Sequence, residues 1–409
     1  MKIGIDISTI LNHGIDIGAG RYIYNLIKNL LAVDKENQYA LTARYTTDSY
    51  LEICKNFEFP DAGETGALVS KPGATGLEKK GRLEFKLFKT TEKKLKIWNT
   101  LRFPTLEMLG FRADIFHCPD FLIAPTNNRN IILTINDLAF IRYPHFNFEW
   151  FVKKYTKEVN KNARIAKKII AISASTRKDI IKFLGTAGKK VEVTHLAAGE
   201  IFKKLPPEQI DRTVYEKYKI GPRYILSVGT IEPRKNYVTL IRAFNHIKKT
   251  NPGFNFQLVI VGRTGWKSEA AYEEYNNSPC RNDIIFVGRA TDDELVHIYN
   301  GAGLFVYPSV FEGFGLPVVE AMQCGIPVAA SRSSSIPELI DCKQALFNPA
   351  DEKDIAEKIL KIVMDGKTRQ ELVECSERNA KRFSWKKTAE KTLEIYRQCY
   401  SSGPLNKHL

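Results

Sequence analysis

The residues best suited to chemistry lie between Leu304 and Ile340, where Glu312 and Glu320 stand in apolar or glycine-rich surroundings. A carboxylate buried without a partner is costly. Glu320, set among Val318, Val319, Ala321 and Met322, is therefore expected to meet one. Gly313 and Gly315 let backbone amides approach a ligand just where Pro317 suits the first turn of a helix, and converging amides at a helix N-terminus make an anion site. Phosphate is the guest this chemistry fits. A second group, Gly229 to Asn236, reads GTIEPRKN and carries Arg234 and Lys235 at the end of an apolar run. Two adjacent cations facing the amides after Gly313 suit a diphosphate; taken alone, they read equally well as solvated basic residues.

The elements that must position these groups alternate in type. Leu304 to Tyr307 reads as a strand, Pro317 opens a helix that Gly325 closes, and a second strand starts at Ile326. Upstream, strands are expected at 224–228, 256–262 and 284–288, with helices at 236–249 and 291–301. The first half has the same grammar: strand Lys2 to Ser8, a loop with Gly14, Gly18 and Gly20, and a helix from Arg21. That opening lacks the full dinucleotide fingerprint, so these glycines either approach a phosphate or only make a turn. Further short units lie at 113–121 and 130–140, with a helix from Glu149 to Ala166, a strand at 167–173 and one more strand and turn at 191–199. His117 and Asp137 fall just past strand ends, where open parallel sheets place ligands; a lone histidine is also often structural. The alternation predicts an α/β chain of two doubly wound domains. A Pro- and charge-rich stretch from Lys203 places the boundary at 205/206, giving domains over 1–205 and 206–383.

The chain of 409 residues is 44% hydrophobic and 26% charged, ordinary for a globular protein with room for two cores. MKIGIDISTI reads as a first strand and not a signal peptide, and no apolar run is long enough for a membrane span. Seven scattered cysteines without a CxxC pair predict reduced thiols and a cytoplasmic setting. The net charge of +15 predicts anionic partners. Asp61 to Thr75 reads as a loop, and it leads into nine basic residues against three acidic ones between Glu78 and Arg102. Leu83, Leu87, Phe88, Leu95, Trp98 and Leu101 are expected on one helical face, set either on an anionic membrane or in the core.

These motifs together resemble the retaining glycosyltransferases of GT-B family four. FEGFGLPVVEAMQCGIPV carries the E-x7-E signature at Glu312 and Glu320, and SVGTIEPRKN, FVGRATDDEL, GAGRY and the closing FSWKKTAEKTLEIY match as well. The resemblance implies two Rossmann-like domains facing across a cleft, with the helix from Ser384 (384–409) crossing back onto the first domain. It implies a GDP- or UDP-sugar donor, no further cofactor and no metal. Glu320 would hold the ribose and Glu312 the donor sugar. Arg234 and Lys235 would neutralise the diphosphate beside Gly229 and the amides of Phe314, Gly315 and Leu316. Val287, Gly288 and Arg289 would lie near the base, and Gly18 and Gly20 near the phosphates. Where the family often has His-Asp near the reaction centre, this chain has Asn136 and Asp137; asparagine cannot exchange a proton near neutral pH, which leaves His117 as the available imidazole. In the family's proposed mechanism the leaving phosphate takes the acceptor's proton, so Asn136 does not exclude catalysis.

The expectation is a cytoplasmic enzyme, peripheral on the membrane, that glycosylates a lipid-linked or polysaccharide acceptor. A non-catalytic donor-binding subunit is the alternative that Asn136 motivates. Nucleic acid is not an expected partner, because the chain has charge but no recognisable binding module.

Overall fold

A computed structural model describes residues 1–15, 18–47, 77–80 and 82–401, the side chains of 77–80 excepted. The loop expected at Asp61 to Thr75 lies outside the described residues. The chain forms two compact units. One comprises Met1–Ile141, Trp150–Leu196 and the segment from Trp385; the other comprises Arg142–Glu149 and Ala197–Ser384. The division thus falls at Leu196/Ala197 rather than 205/206. One short segment of the first half also belongs with the second unit.

The first unit has an eight-stranded sheet of β1 (Lys2–Asp6), β2 (Gln38–Tyr45), β3 (Leu77–Lys80), β4 (Leu83–Lys89), β5 (Ile115–Cys118), β6 (Ile131–Ile135), β7 (Lys168–Ala171) and β8 (Val191–Val193). Their order is β3-β4-β2-β1-β5-β6-β7-β8, and all neighbours are parallel except β3 and β4. Strands covered on both faces read as continuous apolar runs; IILTI of β6 is buried at every position.

Three expectations are corrected here. The strand at Lys2 stops at Asp6, and a helix Ser8–His13 follows before the helix Gly18–Val33, so Gly18 and Gly20 lie in a first helical turn and not in a loop. Gly20 has a packing reason: a Cβ there would sit 2.0 Å from the Gly14 carbonyl oxygen. The basic stretch is not one helical face. Leu83, Phe85 and Leu87 alternate along strand β4, and only Glu92–Leu101 is helical. His117 lies inside β5, not beyond it, and is fully buried.

The C-terminal helix Trp385–Ser401 packs along Gly18–Val33, with Trp385 stacked on Tyr22 at 6.4 Å. Beneath them runs a buried polar chain: the Tyr396 hydroxyl meets His117 Nδ1 at 2.7 Å, His117 Nε2 meets Thr134 Oγ1 at 2.9 Å, and Thr134 Oγ1 meets the Tyr22 hydroxyl at 3.0 Å. Burial pushes the His117 imidazole down to about 3, so it stays neutral. With both nitrogens partnered, it is a structural group.

The second unit has a six-stranded, all-parallel sheet of β9 (Tyr224–Val228), β10 (Gln257–Val261), β11 (Ile284–Gly288), β12 (Leu304–Tyr307), β13 (Val328–Ser331) and β14 (Leu346–Phe347). The order β11-β10-β9-β12-β13-β14 is that of a Rossmann sheet, whose direction of winding reverses between β9 and β12. A disulfide joins Cys342 to Cys375, against the expectation of thiols throughout. The fold brings two cysteines separated by 33 positions to a Cα distance of 6.5 Å, a proximity that spacing does not reveal.

Removing the Tyr396 hydroxyl strands His117 Nδ1 in the core. We predict that Tyr396→Phe costs about 2 kcal/mol of stability, read from a urea midpoint; an unchanged midpoint would show that this buried chain contributes nothing.

Candidate functional site

Ligands of open α/β sheets bind outside the carboxyl ends of strands where the winding reverses. In the second unit that place is between β9 and β12. The turn after β9 carries Glu232, Arg234 and Lys235, and the loop after β12 carries Ser309 and Glu312. They converge on one carboxylate. Glu312 Oε1 accepts from Lys235 Nζ at 2.6 Å, from the Tyr307 hydroxyl at 2.8 Å and from Ser309 Oγ at 2.6 Å. Its Oε2 accepts from Arg234 Nη1 at 2.6 Å. Arg234 also reaches the Phe311 carbonyl through Nη1 at 3.0 Å and Glu232 Oε1 through Nη2 at 2.7 Å.

Glu312 is only 6% exposed. Burial by itself would raise its pKa, but the charges of Arg234 and Lys235, with hydrogen bonds from Lys235 and Ser309, hold it down at about 2. Burial lowers the Lys235 pKa, and the Glu312 charge opposes that shift. The cluster is therefore ionic and internally balanced, with two carboxylates against two cations.

The backbone around Glu312 is clamped by a serine run. Ser333 Oγ donates to the Val310 carbonyl at 2.6 Å, Ser334 Oγ accepts from the Glu312 amide at 2.8 Å, and Ser335 Oγ donates to the carbonyls of Glu312 at 3.0 Å and Phe314 at 2.8 Å. Gly315 then turns the chain into the helix Leu316–Gln323 at φ +106°, where a Cβ would also lie 2.7 Å from Ile336 Cδ1. On the turn after β9, Asn236 adopts φ +60° and its Nδ2 donates to the carbonyls of Pro308 and Pro349 at 3.2 and 2.7 Å.

Glu320 lies in that helix, 3% exposed, and accepts from the Tyr299 hydroxyl at 3.0 Å, which is the partner its apolar neighbours demanded. Gly229 follows β9, and its carbonyl accepts from the Tyr237 hydroxyl at 2.9 Å. Val287 and Gly288 finish β11, Gly288 at φ +75°, with Arg289 next. Gly313, Phe314 and Leu316 occupy the loop and helix start as expected. In the first unit, Asn136 and Asp137 follow β6 directly and are half-buried, and Asp137 Oδ1 accepts from the Ala139 amide at 2.9 Å.

The sequence reading missed Glu232, Tyr307, Ser309 and Ser333 to Ser335. Glu232 stands inside the motif already singled out; the serines read as a polar turn. It missed Asp120 too, which follows β5 and accepts from Thr9 Oγ1 at 3.2 Å; burial raises its carboxyl pKa.

Two Rossmann-like units, one carrying a cation–carboxylate hub at the reversal point of its sheet, define an α/β protein of the GT-B type. Comparison with known proteins narrows the class. The family model for glycosyl transferases group 1 matches residues 212–379. O-antigen chain mannosyltransferase B of Escherichia coli is 28% identical over 289 residues, 70% of this chain and 75% of that protein. Serotype-specific mannosyltransferase WbdA of Escherichia coli is 32% identical over 280 residues, 67% of this chain but only 33% of that longer protein. Among solved structures, Anabaena Alr3699/HepE in complex with UDP and glucose superposes with a TM-score of 0.73 at 15% identity, covering 97% of this chain and all of that one. The fold is that of GT-B glycosyltransferases, and over residues 212–379 the chain is similar to the group 1 glycosyl transferases, with mannosyltransferases among its relatives.

Because the Glu312 pKa is depressed in the folded protein, its contribution to stability is complete above the ordinary carboxyl value of 4.5 and is lost as pH falls towards about 2. Glu312→Gln leaves two cations without their shared carboxylate and should cost about 3 kcal/mol at neutral pH. Denaturant midpoints should show the gap between wild type and variant closing as pH drops from 5 to 2; a gap that does not change with pH would contradict the ionised hub.

Proposed function

We propose that the protein is a retaining glycosyltransferase that moves a hexose, mannose foremost, from a GDP- or UDP-sugar to a lipid-linked or polysaccharide acceptor. The observation that carries this reading is the ionised Glu312 hub at the reversal point of the second sheet. There Arg234 and Lys235 are held as charged donors where a diphosphate would lie. The names of the two Escherichia coli relatives support mannose and a polysaccharide product.

In this mechanism the diphosphate takes over hydrogen bonds that Arg234 and Lys235 give Glu312. The amides of Phe314, Gly315 and Leu316 at the helix start supply further donors. Preorganised charge of this kind stabilises the negative charge that develops as nucleoside diphosphate leaves. Freed in part from the cations, the Glu312 carboxylate turns to the hydroxyls of the donor sugar, and Glu320 exchanges its bond with Tyr299 for the ribose hydroxyls. The leaving phosphate accepts the acceptor's proton, so no imidazole is required at Asn136. Two cations and a helix end provide the countercharge, and the reading includes no metal ion. A donor-binding subunit without turnover is the second reading, and Asn136 is its motive; activity that returns only with a partner protein would favour it.

The acceptor side of the proposal includes an anionic membrane surface on the cytoplasmic side. No helix among the described residues is long and apolar enough to cross a membrane. The helix Glu92–Leu101 instead presents Lys93, Lys94 and Lys96 beside Ile97 (49% exposed) and Leu101 (68% exposed), and Phe103 follows at 61%. Its other side is anchored, with Trp98 Nε1 donating to the Pro104 carbonyl at 2.6 Å. Apolar side chains ringed by lysines suit an anionic interface.

Thermal shift with GDP and UDP tests the donor reading. One of the two should raise the midpoint, Glu320→Ala should weaken binding about tenfold, and Glu312→Ala should lower kcat more than it raises KM. If neither nucleotide binds and no nucleotide sugar turns over, the reading fails. For the surface, flotation with phosphatidylglycerol vesicles should retain wild type and release the Leu101→Glu/Phe103→Glu variant, whereas equal retention of both would place any membrane contact elsewhere.

A further inference from the structure

The turn after β9 is fastened through its own backbone. The Ile231 amide donates to the Arg263 carbonyl at 2.9 Å, the Gly265 amide donates to the Ile231 carbonyl at 3.0 Å, and the Val310 amide donates to the Arg234 carbonyl at 2.9 Å. None of these bonds uses the Glu232 carboxylate, yet Glu232 is only 4% exposed. Its Oε1 accepts from Arg234 Nε at 3.1 Å and from Arg234 Nη2 at 2.7 Å. Its Oε2 is buried and has no hydrogen-bond partner among the described residues. Burying a carboxylate with one oxygen unused is costly. All the hydrogen bonds that this carboxylate makes there go to one side chain.

Arg234 is therefore held on two sides. Glu232 takes its Nε and Nη2 edge, while the Phe311 carbonyl and Glu312 Oε2 take Nη1 at 3.0 and 2.6 Å. The two carboxylates differ in how they are shared. Glu312 also serves Lys235, Tyr307 and Ser309, and on the donor reading it gives up cation bonds as the diphosphate arrives. Glu232 serves Arg234 alone. An arginine released by both carboxylates would have to be ordered again by the ligand, against its rotamer freedom. By charge alone Glu232 opposes an incoming diphosphate, so its place beside the site needs another reason, and holding the guanidinium supplies one.

Resting on the donor reading above, we propose that Glu232 is a positioning residue for diphosphate recognition. It keeps the Arg234 guanidinium in place while the bond from Arg234 to Glu312 is exchanged for one to a phosphate oxygen.

Titration with GDP, UDP and the matching nucleosides tests this in wild type, Glu232→Ala, Glu232→Gln, Arg234→Ala and the Glu232→Ala/Arg234→Ala double variant. Glu232→Ala should bind the preferred nucleoside diphosphate about tenfold more weakly, although it removes a negative charge. Glu232→Gln keeps an acceptor oxygen and should recover part of that loss. The nucleoside should bind every variant alike. In the Arg234→Ala background the Glu232 substitution should cause no further weakening, because the two side chains act as one. Equal or tighter diphosphate binding by Glu232→Ala, or by Glu232→Gln where the alanine variant does not fold, overturns the proposal and leaves the donor reading standing. A tenfold loss that persists without Arg234 overturns it as well, as does a parallel loss of nucleoside, which would mark an effect on the fold. Wild type that binds neither GDP nor UDP overturns both.

Discussion

The second unit depends on one constraint: the Glu312 carboxylate is buried and must be fully partnered. Two of its donors come from the loop and strand it belongs to, Ser309 and Tyr307, and two come from the turn after β9, Arg234 and Lys235. Satisfying it pulls the ends of β9 and β12 together at the reversal point of the sheet. The left-handed turns at Asn236 and Gly315 and the three serines that grip 310–314 then follow as supports for that meeting. An ion cluster of this kind is weak as a source of stability but strong as a way of fixing geometry. On the proposed reading, a diphosphate would meet cations already fixed in position and would take over bonds they give Glu312.

The first unit solves a different problem with neutral groups. Tyr396, His117, Thr134 and Tyr22 form a chain that ties the C-terminal helix to the sheet. None of them titrates usefully near neutral pH: burial drives the imidazole down and the Tyr22 phenol up. His117 therefore does not replace an imidazole at the position of Asn136. A reaction in which the leaving phosphate receives the proton is consistent with that chemistry.

Much of this was legible in the sequence because local signals and fold agreed. The strands at 224–228 and 284–288, the helix from Glu149 and the Pro317 helix start all follow from apolar runs bounded by Gly, Pro and capping residues. The need of Glu320 for a partner followed from its neighbours, although Tyr299 itself is distant in sequence. What escaped was tertiary. Cysteine spacing is silent on the meeting of Cys342 with Cys375, and the serine run carries no motif. The stretch through Leu83 to Leu101 was misread because lysines and leucines suited a helix; the period-two alternation of Leu83, Phe85 and Leu87 was the better signal. The docking of Arg142–Glu149 on the second unit rests on backbone carbonyls that accept from Trp266 and Lys267, which no side-chain pattern announces.

The central claim is that the Glu312 hub is where the donor's diphosphate lands. A crystal structure of the protein with the nucleoside diphosphate it prefers tests this most directly. The account predicts phosphate oxygens within hydrogen-bonding distance of Arg234 and Lys235, with at least one of their bonds to Glu312 given up. A diphosphate bound elsewhere, with all four donors still on Glu312, would contradict it.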